Sequence, residues 1–287
     1  MPLENNQPAP PPPEGPSIPL PQASHLLTSF TQFMTVCIHN ILYYRALYPA
    51  QTFLTSRAYN LPVHQSRHPR VCAWVRDAVD AVRAQLVLGA VERVAVVIHD
   101  GRSRVMERWM FDVAGFPAWQ GAGGGGKDKS REQHDDGDVV VEGVEGEVAE
   151  GGEAGEGRPE EDAADGSAEG GSKVNWTDVD EQLRAAVRRL AYAGEKMAPL
   201  PEGCTFTVAV ELRDEAEAPI GHPQPWVPTQ PNLQTKSKQR REPGEDVGGA
   251  KTTPLRVVEV GPLFFECWVE EGKAKVELSS TTTLSKE

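Results

Sequence analysis

Residues 26–48 constrain the fold more than any other stretch. Leu26, Phe30, Phe33, Cys37 and Ile41 repeat at helical spacing, and Leu27, Met34, Ile38 and Leu42 form a second stripe beside them. Together they make an apolar arc wider than a surface helix needs. Gln32, Thr35, His39 and Asn40 are the strip expected to reach water. Such a helix has to be covered on most sides, so other elements should wrap it. Pro49 is expected to end it, because a residue preceding a proline is pushed out of the α region.

Much of the chain cannot supply that wrapping. Residues 1–23 are proline-rich and polar, and residues 114–174 are dominated by Gly, Glu, Asp and Ala. What remains is roughly 190 residues, enough for one domain with an adequate core. Residues 127–172 hold sixteen Asp/Glu and four Lys/Arg, so they carry -12 of the whole-chain net charge of -13. The rest is close to neutral, and no basic face for sequence-specific nucleic-acid binding is evident. The acidic stretch cannot bury enough apolar surface to fold and is expected to be a solvated, disordered insert. Replacing residues 120–172 with a short Gly/Ser linker should therefore leave the melting temperature and partner binding unchanged, since closing a shorter loop costs nothing extra. A large drop in melting temperature would make the insert part of the fold.

The remaining pattern is mixed α and β. Residues 49–69 read as a long, packed connection containing Phe53, Tyr59, Leu61, Pro62 and Val63. Pro69 fits the first position of a second helix, with Val71, Val75, Ala78, Val82 and Leu86 as its apolar stripe and Gly89 as its stop. Residues 91–100 read as a strand buried on both faces, followed by a turn at Asp100-Gly101 and a returning strand over 104–113. In that strand Val105, Trp109, Phe111 and Val113 are expected to face the core, with Arg108 and Asp112 outward; Glu107 breaks the pattern. Thr177 with Asp180 gives a capping-box-like start to a third helix, whose apolar face is Val179, Leu183, Ala186, Val187 and Leu190. Residues 203–212 alternate as another strand. From Arg213 to Gly249 the chain is polar and loop-like; then residues 255–260 and 263–269 read as short strands about Gly261-Pro262, and 273–278 as a weak final strand. The organisation is thus a lead-in (1–23), a core in two parts (24–113 and 175–212) split by the insert (114–174), and a mobile C-terminal segment (213–287).

Motifs for catalysis are missing. The glycine run at residues 121–127, opened by Gly121 and closed by Lys127, fits two phosphate-binding patterns, which keeps a nucleotide-binding enzyme as a distant alternative. However, Asp128 stands where a P-loop needs Ser or Thr, and neither a βαβ unit nor a following helix surrounds the run. No two histidines sit at metal-binding helical spacing, and no Ser or Cys sits in a nucleophile-elbow pattern. No cofactor or metal is expected. The four cysteines, Cys37, Cys72, Cys204 and Cys267, are far apart within apolar patterns and read as buried thiols in a reducing compartment. Neither a signal peptide nor a membrane span is expected. Lys236, Lys238, Arg240 and Arg241 form a basic cluster, read either as a nuclear-import signal or as a solvated loop.

Three groups of residues carry a family resemblance. IHNILYYRALYP (38–49), VERVAVVIHD (91–100) and ERWMFDV (107–113) resemble HORMA-domain proteins, the last also being very similar to the spindle-checkpoint member. AYNLPVHQSRHP (58–69), GCTFTVAVELRDE (203–215) and TPLR (253–256) resemble the HORMA branch that serves as the accessory subunit of translesion DNA polymerase zeta. The resemblance implies a central, mainly antiparallel sheet backed by three helices. It also implies a C-terminal safety belt that traps a partner peptide added as an extended strand, where backbone bonds give affinity and side-chain pockets specificity.

It implies roles for individual residues as well. Trp74, Trp226 and Leu255 match positions used against the partner peptide, here expected to come from the catalytic subunit of polymerase zeta. Leu255, Glu266 and Trp268 match a late hairpin that meets the C-terminal domain of a second, scaffold translesion polymerase. Arg184 matches a position of contact between two HORMA domains. The expected role is a nuclear, non-catalytic adaptor in DNA damage tolerance; the alternative is a spindle or meiotic checkpoint adaptor of the same fold.

Overall fold

The computed structural model describes residues 20–116, 174–214, 216, 218–219, 226–237 and 240–284. The glycine run at 121–127, Pro225, Lys238 and most of the proline-rich and acidic stretches lie outside them.

The first helix, α1 (Leu20–Tyr44), starts inside the expected lead-in, with Ala23 fully buried, and stops well before Pro49. Its stop is a Schellman motif. Ala46 N–H donates to the Tyr43 carbonyl at 3.0 Å and Leu47 N–H to the Leu42 carbonyl at 3.1 Å, while Ala46 takes a left-handed φ of 51°. That position usually belongs to glycine, so no glycine signalled the end. The second helix, α2 (Pro69–Val87), closes by the same device with a glycine in place, Gly89 at φ 66°.

Between these helices the expected long, packed connection is a β-hairpin, β1 (Phe53–Ala58) with β2 (Leu61–Ser66). Its turn residues, Tyr59 and Asn60, both have positive φ, the requirement of a type I′ turn, but they lack the usual glycine signature. The hairpin lies over the strip of α1 that was expected to be wet. Asn40 Oδ1 accepts from His64 N–H at 3.0 Å and His39 Nδ1 from Ser66 N–H at 3.5 Å. His39 and Asn40 are consequently buried, and burial lowers the His39 pKa, which keeps the ring neutral and its nitrogen able to accept.

Five antiparallel strands form the main sheet: β3 (Val91–His99), β4 (Val105–Asp112), β5 (Thr205–Leu212), β6 (Lys251–Val260) and β7 (Leu263–Glu271), in the order β5-β3-β4-β7-β6. The back of this sheet and α1, α2 and α3 (Trp176–Lys196) share the main core. Phe33 meets Phe111 and Phe265 edge-on or tilted at 6.0 and 5.4 Å, and Phe30 meets Phe265 at 5.3 Å, so α1 is bolted to β4 and β7. The expected stripe of α3 is buried throughout. Its cap is Asn175 rather than Thr177: Asn175 Oδ1 accepts from Thr177 N–H at 3.2 Å. Phe116 packs on Phe30 at 4.8 Å and Val174 is buried, so both ends assigned to the insert belong to the core.

Two expectations about strands are corrected. Opposite the step from Ile98 to His99, β4 carries one extra residue, and this bulge reverses the pleat. Met106 therefore enters the main core, while Val105 joins a second cluster on the front of the sheet with Ala95, Val97, Met110 and Leu233. The second correction concerns residues 273–278, which begin a helix, α4 (Lys273–Leu284). The alternation Lys-Ala-Lys-Val-Glu-Leu mimics a strand, yet Lys275 is placed one helical turn from Glu271 and pairs with it at 2.7 Å.

Candidate functional site

An unpaired sheet edge is the first requirement for receiving an extended segment, and the two edges here are built differently. On β6, Pro254 lacks an N–H, the ladder is irregular between Pro254 and Arg256, and Arg189 Nε of α3 donates to the Leu255 carbonyl at 3.4 Å. That edge is blunted. On β5, eight residues without proline pair, among the described residues, with β3 alone. Thr205 and Thr207 are exposed, and Phe206, Val208 and Val210 are half-buried against the main core. Beside them stands Trp74 of α2, 43% exposed, with its ring edge-on to Phe206 at 4.8 Å. An apolar row next to an open backbone edge is what an incoming strand with alternating apolar residues would complete.

The front of the sheet is crossed by the C-terminal segment. Leu233, at the end of a single 3-10 turn (Pro231–Leu233), is buried on Ala95, Val97, Val105 and Met110, with Ala209 and Trp268 beside them. The expected polar loop is therefore anchored, and it closes on itself. Asn232 Nδ2 donates to Asp246 Oδ2 at 2.5 Å, Asp246 N–H to the Asn232 carbonyl at 3.0 Å, and Gly244 N–H to the Gln234 carbonyl at 2.8 Å. Within the basic cluster, Lys236 and Arg241 are exposed and Arg240 donates to Gln234 Oε1 at 2.9 Å.

Charges on this front face are paired across four strands. Arg108, expected to face water, is buried and bridges Glu211 of β5 at 2.5 Å and Glu270 of β7 at 2.9 Å. Arg93 of β3 joins Glu211 at 3.0 Å and Asp112 at 2.9 Å. A buried arginine is tolerated only because carboxylates on both neighbouring sides neutralise it.

The residue expected to break the strand pattern, Glu107, is wholly buried at the centre of a second ion cluster. Arg45 Nε and Nη2 donate to it at 3.0 and 2.8 Å, Lys275 Nζ at 2.6 Å and Trp109 Nε1 at 3.1 Å. Arg45 also donates to the carbonyls of Gly194 and Ala198 at the end of α3. Glu107 was the sequence's one hint of this cluster, as a carboxylate inside an apolar strand; Arg45 and Lys275 gave none.

The residues named from sequence fall in separate places. Trp74 lies at the β5 edge. Trp226 is half-buried against the main core where the crossing segment begins. Leu255 is not with them: it sits on β6, at the opposite edge, buried under α3. Glu266 is exposed on β7, and Trp268 is half-buried on the front face, donating from Nε1 to Glu270 Oε1 at 2.8 Å. Arg184 is a half-exposed residue of α3 paired with Glu181 at 3.0 Å. Phe206 and Leu233 were not singled out from sequence. Among the described residues no group of three or more His, Cys, Asp or Glu side chains could hold a metal ion, all four cysteines are free thiols, and no helix is long and apolar enough to cross a membrane.

A five-stranded antiparallel sheet with three helices behind and a C-terminal segment across its front, ending in a hairpin on the sheet, defines an α+β domain class with one blunted and one open edge. The chain belongs to the HORMA family: residues 27–252 match the HORMA domain. It is 26% identical over 243 residues to the DNA polymerase zeta processivity subunit of Schizosaccharomyces pombe, covering 84% of this chain and 91% of that protein. It is 23% identical over 249 residues to the mitotic spindle assembly checkpoint protein MAD2B of Danio rerio, covering 85% and 90%. A chain in the crystal structure of the mitotic checkpoint complex shares the fold, with a TM-score of 0.54 at 16% identity over 86% of this chain and 98% of that one.

Proposed function

We propose that this chain is a non-catalytic adaptor subunit of translesion DNA polymerase zeta, working in the nucleus without a cofactor. It takes up an extended segment of the catalytic subunit along the open β5 edge, beside Trp74 and Phe206, and holds it with the crossing segment that starts at Trp226. The β6–β7 hairpin, through Glu266 and Trp268, meets the C-terminal domain of a second translesion polymerase, with Leu255 fixing the hairpin from behind. Arg184, on the exposed side of α3, is the contact for pairing with another HORMA domain. Similarity to the fission yeast polymerase subunit along nearly its whole length carries this reading, and the difference between the two sheet edges supplies its physical basis. The checkpoint-adaptor alternative draws on the name of the zebrafish relative and on ERWMFDV.

Labelled overlapping peptides from the polymerase zeta catalytic subunit and from checkpoint partners test the two readings. Polymerase peptides are expected to bind and to leave slowly. Trp226→Ala should weaken that binding by about 2 kcal/mol or more, as truncated aromatic anchors at interfaces do. The loss should appear mainly as faster dissociation, with a much smaller effect on the melting temperature of the empty protein. Capture of checkpoint peptides alone would favour the alternative, and capture of neither would overturn the adaptor reading.

A further inference from the structure

The C-terminal helix carries two lysines that face opposite partners. Lys273 Nζ of α4 donates to the Glu245 carbonyl of the crossing segment at 2.5 Å. Two residues on, Lys275, only 4% exposed, reaches into the core to Glu107 at 2.6 Å and back to Glu271 at 2.7 Å. Glu271 in turn ends the crossing segment: its carbonyl accepts from Ala250 N–H at 2.7 Å, and its carboxylate takes Lys251 at 3.0 Å. We infer that Lys275 is the latch of the C-terminal segment, a positioning residue that fastens β6, β7 and α4 to the core and sets how long the crossing segment stays closed over a captured partner. The second half of this role rests on the capture reading above.

Around Lys275 the charges are arranged so that the latch can open without leaving a carboxylate buried and unpaired, and Arg108 keeps Glu211 when Glu270 departs. If the segment leaves, Glu107 keeps Arg45 at 2.8 Å and Trp109 at 3.1 Å. Glu271 departs with Lys251 still beside it, and Lys275 carries its charge into water. Neither carboxylate is left buried and unpaired, the outcome that makes most broken buried ion pairs so costly. At the ion cluster release therefore costs the bonds of one ammonium group, added to the β4–β7 ladder and the packing of Phe265 and Val269 that hold the segment elsewhere. Arg45 stays with the core in both states, so the two cations on Glu107 divide the work: one holds the domain, the other holds the segment.

Gly272 lets the latch engage. Its N–H donates to the Met106 carbonyl at 2.8 Å, and a Cβ at this position would collide with the backbone oxygen of Val105. Only glycine permits the chain to pass so close to β4 and start α4 where Lys275 can reach Glu107.

The full chain carrying Lys275→Met, Lys275→Arg or Gly272→Ala provides the test, with two readouts. Hydrogen exchange on the empty protein needs no partner. Lys275→Met and Gly272→Ala are expected to raise exchange over residues 226–271 while β3 and β5 keep their protection; Lys275→Arg should restore part of it. The second readout is dissociation of a preloaded peptide of the polymerase zeta catalytic subunit, expected about tenfold faster in Lys275→Met, the size of one lost charged hydrogen bond, with the on-rate changed far less. Unchanged exchange, uniform loss of protection across the sheet, or failure of Lys275→Met to fold would each overturn the latch. If the parent protein binds no such peptide, the capture reading falls, and the exchange pattern still decides the latch.

Discussion

Arg45→Met is expected to cost about 3–5 kcal/mol of folding stability, because it removes charged hydrogen bonds to the Glu107 carboxylate and to the carbonyls of Gly194 and Ala198, each worth about 1.5–3 kcal/mol. Arg45 has a side chain only 3% exposed, and Glu107 is not exposed at all. Without the guanidinium, Glu107 keeps Lys275 and the Trp109 indole, while the carbonyls of Gly194 and Ala198 lose their donor at the end of α3. The loss would fall on three elements at once, because Arg45 joins the end of α1, the end of α3 and the middle of β4. For a domain of this size the melting temperature should fall by roughly 10 °C or more. Adding Glu107→Gln to Arg45→Met should recover part of the loss, since the neutral amide needs no counter-ion. Denaturant unfolding of parent, single and double variants measures this. A single variant within about 0.5 kcal/mol of the parent, or a double variant no better than the sum of its parts, would show that the cluster does not hold the core.

The sequence was readable where burial follows a period. The apolar arc of α1, the stripe of α3 and the alternation of β3 and β5 are repeats of 3.6 or 2; the structure buries the first three and half-buries the alternate residues Phe206, Val208 and Val210 of β5. Legibility failed where a second surface covers a polar residue. His39 and Asn40 look wet on a helical wheel, and they are buried only because a hairpin sixty residues into the chain brings the Ser66 and His64 amides onto them. Arg108 looks outward on its strand, yet Glu211 and Glu270, remote in sequence, meet it there. Ends without glycine were also invisible, as at Ala46 and at Tyr59-Asn60, because left-handed backbone leaves little trace in a residue that seldom adopts it. For the candidate site, Trp74 and Trp226 came from family resemblance alone. The open edge beside Trp74 came from topology, since no local pattern reveals which strands end a sheet.

The second large effect concerns two partner surfaces that the strand order keeps apart. Trp74 stands at the β5 edge on Phe206, and Trp268 lies on β7, with β3 and β4 in between. Neighbouring strands are about 4.8 Å apart, so three steps separate the two by about 14 Å, beyond the distance at which truncations usually couple. Trp74→Ala should lower affinity for the catalytic-subunit peptide by about 2 kcal/mol, roughly thirtyfold, and leave affinity for the second polymerase's C-terminal domain within about 0.5 kcal/mol. Trp268→Ala should do the reverse. One coupling has to be controlled: Trp268 packs beside Leu233 and bonds Glu270, so its loss loosens the crossing segment as well. Measuring polymerase-domain affinity on protein already loaded with peptide removes that route, because the closed segment then presents the same hairpin in every variant. If Trp268→Ala leaves that affinity unchanged in a folded, loaded protein, the hairpin is not the second surface. If Trp74→Ala weakens both partners equally, the two sites are one.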